Sequence, residues 1–241
     1  MRISDFSTMT FDCYGTLIDW EAGILAELKP WARRHGKDLS DDQLLEDFAG
    51  VESPIQAKDP KMKYPEVLAA VHRALAAQWN IAPDEKAALD FGQSVPRWPA
   101  FPDSAAALAY LKDHFTLVIL SNIDDDSIKA SAEKLGRPFH HVYTAQQIGS
   151  YKPDRRNFEY MIQKLAALGV AKDKILHVAQ SLFHDHEPAQ AMGLTSVWID
   201  RRAGKSGAGA TQKLTKQPEV QARYETLAQL ADAHRAALRG G

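Results

Sequence analysis

A single cysteine, Cys13, stands in this chain of 241 residues. One thiol excludes an internal disulfide framework and a four-cysteine zinc site, and it fits a reducing compartment. Long apolar runs are missing as well. No stretch approaches the ~18 residues that a membrane span needs, and the opening Met1-Arg2-Ile3-Ser4-Asp5 lacks the apolar core of a signal peptide. Neither sign of charge is in excess: 29 Lys and Arg against 31 Asp and Glu give a formal net charge of -2, which leaves no electrostatic footprint for nucleic acid. No internal repeat is visible. The expectation that remains is a globular, cytoplasmic protein with neither nucleic acid nor membrane as a partner, for which a homodimer stays open. Its length allows one large domain or a core with an insertion.

Strands and helices alternate in only part of the chain. Residues 7–12 read as the first strand. Ile24, Leu25, Leu28 and Trp31 then repeat at helical spacing, with Pro30 predicting a kink or break. Ser40 with Asp41, Asp42 and Gln43 is an N-terminal cap signature for a second helix through Leu44, Leu45 and Phe48. Residues 53–63, with Pro54, Pro60 and three lysines, read as a loop. Pro65 opens a helix through Trp79, and a short helix covers 83–92. Nothing in 19–97 reads as a strand, and Pro96 to Pro102 reads as a linker. Beyond it, helices at 103–114, 126–135, 157–168 and 187–192 alternate with strands at 116–120, 142–144, 175–179 and 195–199. A basic, Gly- and Thr-rich stretch at 201–218 reads as a mobile surface loop, and 221–238 as the last helix. This alternation predicts an α/β fold. Its core is a Rossmann-like, doubly wound parallel sheet from residues 1–18 and 98–241, with an all-helical cap inserted at 19–97.

Chemistry concentrates at the ends of the predicted strands. The first runs from Met9 to Phe11 and stops at Asp12; Gly15 and Thr16 follow within four positions. A carboxylate at the carboxyl edge of an open α/β sheet lies where ligands bind. Gly15 permits a tight turn, and the Thr16 hydroxyl can donate back to the carboxylate. Asp12 therefore reads as a positioned nucleophile, against the alternative of a turn or cap residue. Ser121 and Asn122 end a second buried strand, Asp185 follows a third, and Lys152 precedes a helix. Right-handed crossovers bring these ends to one edge. A carboxylate, hydroxyl and amide donors and an ammonium together suit nucleophilic attack with stabilisation of the departing negative charge.

Asp12-x-Tyr14-Gly15-Thr16, the strand ending in Ser121-Asn122, Lys152-Pro153-Asp154 and the downstream Asp185 resemble, in order and spacing, the four motifs of the haloacid dehalogenase superfamily. The helical insertion sits where that superfamily carries a cap. Most of its members are phosphatases with a second aspartate two residues after the nucleophile. Tyr14 stands there instead, which resembles the 2-haloacid dehalogenase branch. That resemblance implies a reaction without metal or other cofactor on a small carboxylate substrate, a short L-2-haloacid. Asp12 would attack the carbon bearing the halogen, and water would then hydrolyse the aspartyl ester. Thr16, Ser121 and Lys152 would orient and stabilise Asp12, and Asp185 would hold Lys152 or position water. Tyr14, Asn122, Gln180 and His184 would line the substrate and halide site. Hydrolysis of another C–X bond or a strained ring is the alternative, followed by a phosphatase or a binding protein without catalysis.

The resemblance has gaps. Gln180 and Leu182 replace a serine and an asparagine of the fourth motif, and Phe158 replaces a tyrosine six residues after the lysine. The cap arginine of those dehalogenases has no counterpart between Arg34 and Arg73, which leaves Lys58, Lys61 or Lys63 as substitutes. His184 and His186 flank Asp185 without further metal-ligand spacing, so His184 reads as a pocket wall or proton shuttle. Asp124-Asp125-Asp126 reads as support for a helix dipole rather than a cation site. Cys13 reads as a small buried hydrophobe, and His140-His141 as surface. Trp20 and Trp98, at the two cap junctions, either gate the cleft or pack between domains.

Overall fold

Strand β1 (Thr8–Phe11) is buried along its whole length because another strand flanks it on each side. The computed structural model describes residues 2–205, 207, 209–211, 214 and 216–239. Among these, β1 is joined by β2 (Thr116–Ser121), β3 (His141–Thr144), β4 (Ile175–Ala179), β5 (Thr195–Ile199) and β6 (Ala222–Tyr224) in one sheet of order β3-β2-β1-β4-β5-β6. Every pairing is parallel. Strands covered on both faces need apolar side chains throughout, and β2 and β4 supply them. Phe11 pairs with Ile119 on one side and Val178 on the other, so the residues that follow all three strands emerge together. The strand order reverses at β1, which puts the crevice for a ligand at its carboxyl end.

Four helices are inserted between β1 and β2: α1 (Trp20–Arg34), α2 (Asp41–Lys58), α3 (Tyr64–Gln78) and α4 (Glu85–Gly92). The remaining helices flank the sheet: α5 (Ser104–Lys112), α6 (Asp125–Lys134), α7 (Ala145–Ile148), α8 (Arg155–Ala167), α9 (Glu187–Ala191) and α10 (Leu227–Arg239). The architecture is the doubly wound parallel core with an all-helical cap that the sequence predicts. No helix among the described residues is long and apolar enough to cross a membrane. Ser40 caps α2 by accepting from the Gln43 amide, and Asp124 caps α6 by accepting from the amides of Asp126 and Ser127, as expected of these residue types.

The structure departs from the sequence reading at both helix-internal prolines. α1 continues through Pro30 and α2 through Pro54. The carbonyl that each proline orphans belongs to the residue four positions earlier. These are Ala26 and Gly50, both exposed, so water can take the place of the lost hydrogen bond. The loop expected at 53–63 therefore shrinks to 59–63. The helix expected over 221–238 starts later, because 222–224 adds a short edge strand and Thr226 accepts from the Gln229 amide to open α10. Part of the 201–218 stretch (206, 208, 212, 213 and 215) lies outside the described residues. Within the rest, Arg202 reaches Glu21 at 2.5 Å and Asp42 at 3.2 Å on the first two cap helices.

Trp98 is buried where the cap returns to the core, stacked edge-on against Tyr14 and Tyr64. The Trp98 indole lies directly over Gly23 of α1; a Cβ there would sit 2.3 Å from Trp98 Cγ. Alanine is favoured over glycine inside a helix by about 1 kcal/mol, yet Gly23→Ala will lower stability because the indole has no room to retreat. Urea midpoints will show this; a more stable Gly23→Ala would mean that the packing at this junction is loose.

Candidate active site

The end of β1 delivers Asp12 into a buried cluster. Gly15 follows with φ +92°, and a Cβ on it would lie 3.0 Å from Trp20 Nε1, so a side chain there would be strained and crowded. That turn brings the Thr16 hydroxyl back to donate to Asp12 Oδ2 at 2.7 Å. Thr16 Oγ1 in turn accepts from the Gln180 amide at 2.9 Å, and the Arg201 guanidinium holds the Thr16 carbonyl at 3.0 and 3.1 Å. The other Asp12 oxygen, Oδ1, accepts from Lys152 Nζ at 2.9 Å. Lys152 also donates to Asp185 Oδ1 at 2.7 Å and to the Leu120 carbonyl at 3.0 Å. An ammonium has three N–H donors, and all three are engaged.

Asn122 explains how Lys152 is aimed. Its Oδ1 accepts from the Lys152 backbone amide at 2.6 Å, and its Nδ2 donates to the Lys152 carbonyl at 2.9 Å. Asn122 clamps the main chain that carries the lysine, and one N–H of Nδ2 is left for the cavity. Behind Asp185, His177 Nε2 lies 3.1 Å from Oδ1 and His177 Nδ1 lies 2.9 Å from Thr10 Oγ1. Phe158 packs edge-on against the His177 ring, fully buried, so it supports the cluster from below and does not enter the cavity.

Electrostatics follow from this burial. Desolvation raises the Asp12 carboxyl above its ordinary range, against the opposing pull of the Lys152 ammonium. Asp185 is as deeply buried, yet Lys152 and His177 together outweigh the desolvation and hold it well below the usual carboxylate range. Lys152 is raised, because two carboxylates outweigh its own burial. Of the two carboxyl groups on the lysine, Asp12 is thus the more basic.

Cap and core meet over this cluster in a small cavity lined by Asp12, Tyr14, Trp20, Glu52, Gln56, Tyr64, Ser121, Asn122, Lys152, Gln180, Ser181, His184 and Asp185. Its volume is about 30 Å³, against the roughly 10–15 Å³ needed to hold one water. The site suits a molecule of a few heavy atoms. A wider cleft of about 470 Å³ adjoins it, sharing Gln56, Lys152 and His184. Ser121 Oγ, Asp185 Oδ2 and His184 Nε2 are buried with no hydrogen-bond partner among the described residues, which marks them as polar atoms at the cavity wall open to a ligand.

Every sequence-predicted site residue is brought together here: Asp12, Thr16, Ser121, Lys152 and Asp185 in the cluster or on its wall, Tyr14, Asn122, Gln180 and His184 around it. Tyr14 is anchored to Ser131 Oγ at 2.8 Å. Burial pushes His184 down to about 4, so its imidazole is neutral at pH 7. His186 does not join it. Its two nitrogens are taken by Ser196 and the Ala179 carbonyl, and no group of three or more metal-ligating side chains occurs among the described residues. Lys58, Lys61 and Lys63 are exposed and line neither cavity, so none of them stands in for the cap arginine. Trp20 lines the cavity, whereas Trp98 packs at the junction.

Sequence reasoning missed Glu52, Gln56 and Tyr64. Phe48, Glu52 and Gln56 recur every four residues on the buried stripe of α2. Ending that helix before Pro54 hides the signal, which is an acid and an amide continuing an apolar face. Glu52 is 2% exposed. Its Oε1 accepts from the Tyr64 hydroxyl at 2.8 Å, and burial raises its carboxyl to about 7.

A parallel α/β core whose sheet edge carries a buried carboxylate–lysine–carboxylate bridge under a helical cap defines a class of capped α/β proteins. The model of the haloacid dehalogenase-like hydrolases matches residues 6–193, and the chain belongs to that family. The (S)-2-haloacid dehalogenase H-109 of Pseudomonas putida is 28% identical over 126 residues, 51% of this chain and 54% of that protein. The (S)-2-haloacid dehalogenase 4A of Burkholderia cepacia is 31% identical over 106 residues, 43% of this chain and 44% of that one. The chain thus spans about half the length of the curated relatives it matches. The crystal structure of the L-2-haloacid dehalogenase PA0810 superposes with a TM-score of 0.76 at 23% identity, covering 96% of this chain and 99% of the other. That likeness shows the fold.

A carboxyl raised from 4.5 to about 7 in the folded state binds its proton more tightly there than in the unfolded chain. The stability it lends is complete below the unfolded value and is lost as pH rises through 7. At about 1.4 kcal/mol per unit of displacement, the full loss is roughly 3 to 4 kcal/mol. Glu52→Gln will remove this slope, so between pH 5 and pH 8 the wild type will weaken relative to the variant in urea unfolding. Parallel stability curves would show that Glu52 is solvated.

Proposed function

We propose that this chain hydrolyses the carbon–halogen bond of a short 2-halo compound through a covalent ester on Asp12, the reaction class of the (S)-2-haloacid dehalogenases it matches. One observation carries the reading. Asp12 is a buried carboxylate fixed through both oxygens, by Lys152 and Thr16, at the floor of a cavity sized for a small molecule. In the first step an Asp12 oxygen bonds to the carbon as the C–X bond breaks, and halide leaves with the bonding pair. In the second, water adds to the Asp12 ester carbonyl, the alcohol product departs and the carboxylate is restored. The positive charge this needs comes from Lys152. Ser121 Oγ and the free N–H of Asn122 are donors placed for the departing halide, and Asp185 and His184 are acceptors placed to orient water.

A phosphatase reading has less support. Phosphate ester hydrolysis calls for an acid to protonate the leaving alkoxide, a contribution of ~10²–10⁴-fold. Tyr14 occupies that position, and burial raises its phenol far above the ordinary range. The division that accompanies this function is a core of 1–18 and 98–241 under a cap of 19–97, with substrate enclosed between them.

Asp12→Asn will lower halide release from 2-chloropropionate or its neutral analogues by ~10³-fold or more, because a carboxamide is a poor nucleophile. Circular dichroism will show the fold retained. Residual activity within tenfold of wild type would contradict the role given to Asp12.

A further inference from the structure

Among the described residues that line the cavity, Lys152 is the one lysine or arginine, and its ammonium is used in full by Asp12, Asp185 and the Leu120 carbonyl. The adjoining cleft adds Arg156, whose guanidinium forks onto Asp154 at 2.8 and 3.1 Å. A carboxylate substrate would enter without a counter-ion, and burying an unpaired charge is costly.

The cap presents the opposite chemistry. Glu52 Oε1 accepts from Tyr64, while Oε2 has no hydrogen-bond partner among the described residues. Gln56 lies one turn along the same face of α2, is 4% exposed, and makes no hydrogen bond among the described residues. Both side chains line the cavity across from Asp12. An acceptor oxygen and a primary amide side by side match a ligand that both donates and accepts: its N–H to Glu52 Oε2, its carbonyl to the Gln56 amide. A carboxylate offers only acceptors and cannot supply the N–H that Glu52 Oε2 would accept; above pH 7, where Glu52 is ionised, it would also meet a like charge.

We propose that the group flanking the reacting carbon of the substrate is a carboxamide rather than a carboxylate, read by Glu52 and Gln56. This rests on the C–X hydrolase reading above. The bond changes are unaltered: Asp12 displaces chloride from the 2-carbon of a 2-chloroamide. Water then cleaves the ester to the 2-hydroxyamide, and one proton and one chloride are released.

The test compares (S)-2-chloropropionamide with (S)-2-chloropropionate by halide release. In parallel, ligand-observed NMR measures binding of propionamide against propionate. The expected result is a kcat/KM at least tenfold higher for the amide, with Glu52→Gln cutting that ratio tenfold or more by admitting the carboxylate. Gln56→Leu will weaken the amide without helping the acid, a readout that holds if Glu52→Gln folds poorly. Turnover of the acid as fast as the amide overturns the proposal and leaves the hydrolase reading intact. Propionamide binding in preference to propionate, with turnover of neither chloro compound, upholds the recognition and removes the hydrolase reading. Equal binding of the two, or binding of neither, overturns the proposal.

Discussion

The Lys152 ammonium is the constraint on which the site depends. It lies between two carboxylates, Asp12 and Asp185, in a place that water does not reach. Buried ion pairs add little net stability, since desolvation cancels most of the attraction, but breaking one is costly. What the bridge fixes is geometry. It ties the turn after β1, the end of β2, the loop before α8 and the π-helical turn Leu182–His186 to one point. Each of these segments is also pinned by a further hydrogen bond: Thr16 to Gln180, Asn122 to the Lys152 backbone, His177 to Asp185. A carboxylate held at both oxygens is preorganised and would need little reorganisation in a reaction.

The cap supplies the other half of the cavity. α1 contributes Trp20, α2 contributes Glu52 and Gln56, and α3 contributes Tyr64. None of these is a cation. The charged groups of the core, Asp12, Lys152 and Asp185, thus face a cap wall whose one ionisable carboxyl is Glu52. Under the proposed reaction, the core residues would bear on how the bond is broken and the cap residues on what is admitted. Arg202, reaching Glu21 and Asp42 on α1 and α2, ties the loop after β5 to the cap and so couples the two halves mechanically.

The sheet and most of the charged cluster were legible in the sequence because parallel strands read as apolar runs followed by polar residues: Asp12, Ser121 and Asp185 follow from that grammar, whereas Lys152 stands before a helix and was reached through the motif order. Helix-internal prolines were not legible. Pro30 and Pro54 break no helix here because the carbonyls they orphan face solvent, a fact of tertiary orientation that a linear pattern does not carry. The same error at Pro54 concealed Gln56 and with it the chemistry of the cap. The three-residue strand β6 is too short to show a period and exists only because β5 offers it an edge. His177 sits inside a buried strand, where a lone histidine gives no sign that it will meet Asp185.

The central claim is that Asp12, held by Lys152, is the covalent nucleophile. Single-turnover hydrolysis of a substrate in ¹⁸O water, followed by mass spectrometry of the peptide carrying Asp12, tests it most directly. With enzyme in excess, water attacks the ester at the Asp12 carboxyl carbon. The account therefore predicts one ¹⁸O in Asp12 and unlabelled alcohol product. Label found in the product with none in Asp12 would mean that water attacks the substrate itself, and the covalent account would be wrong.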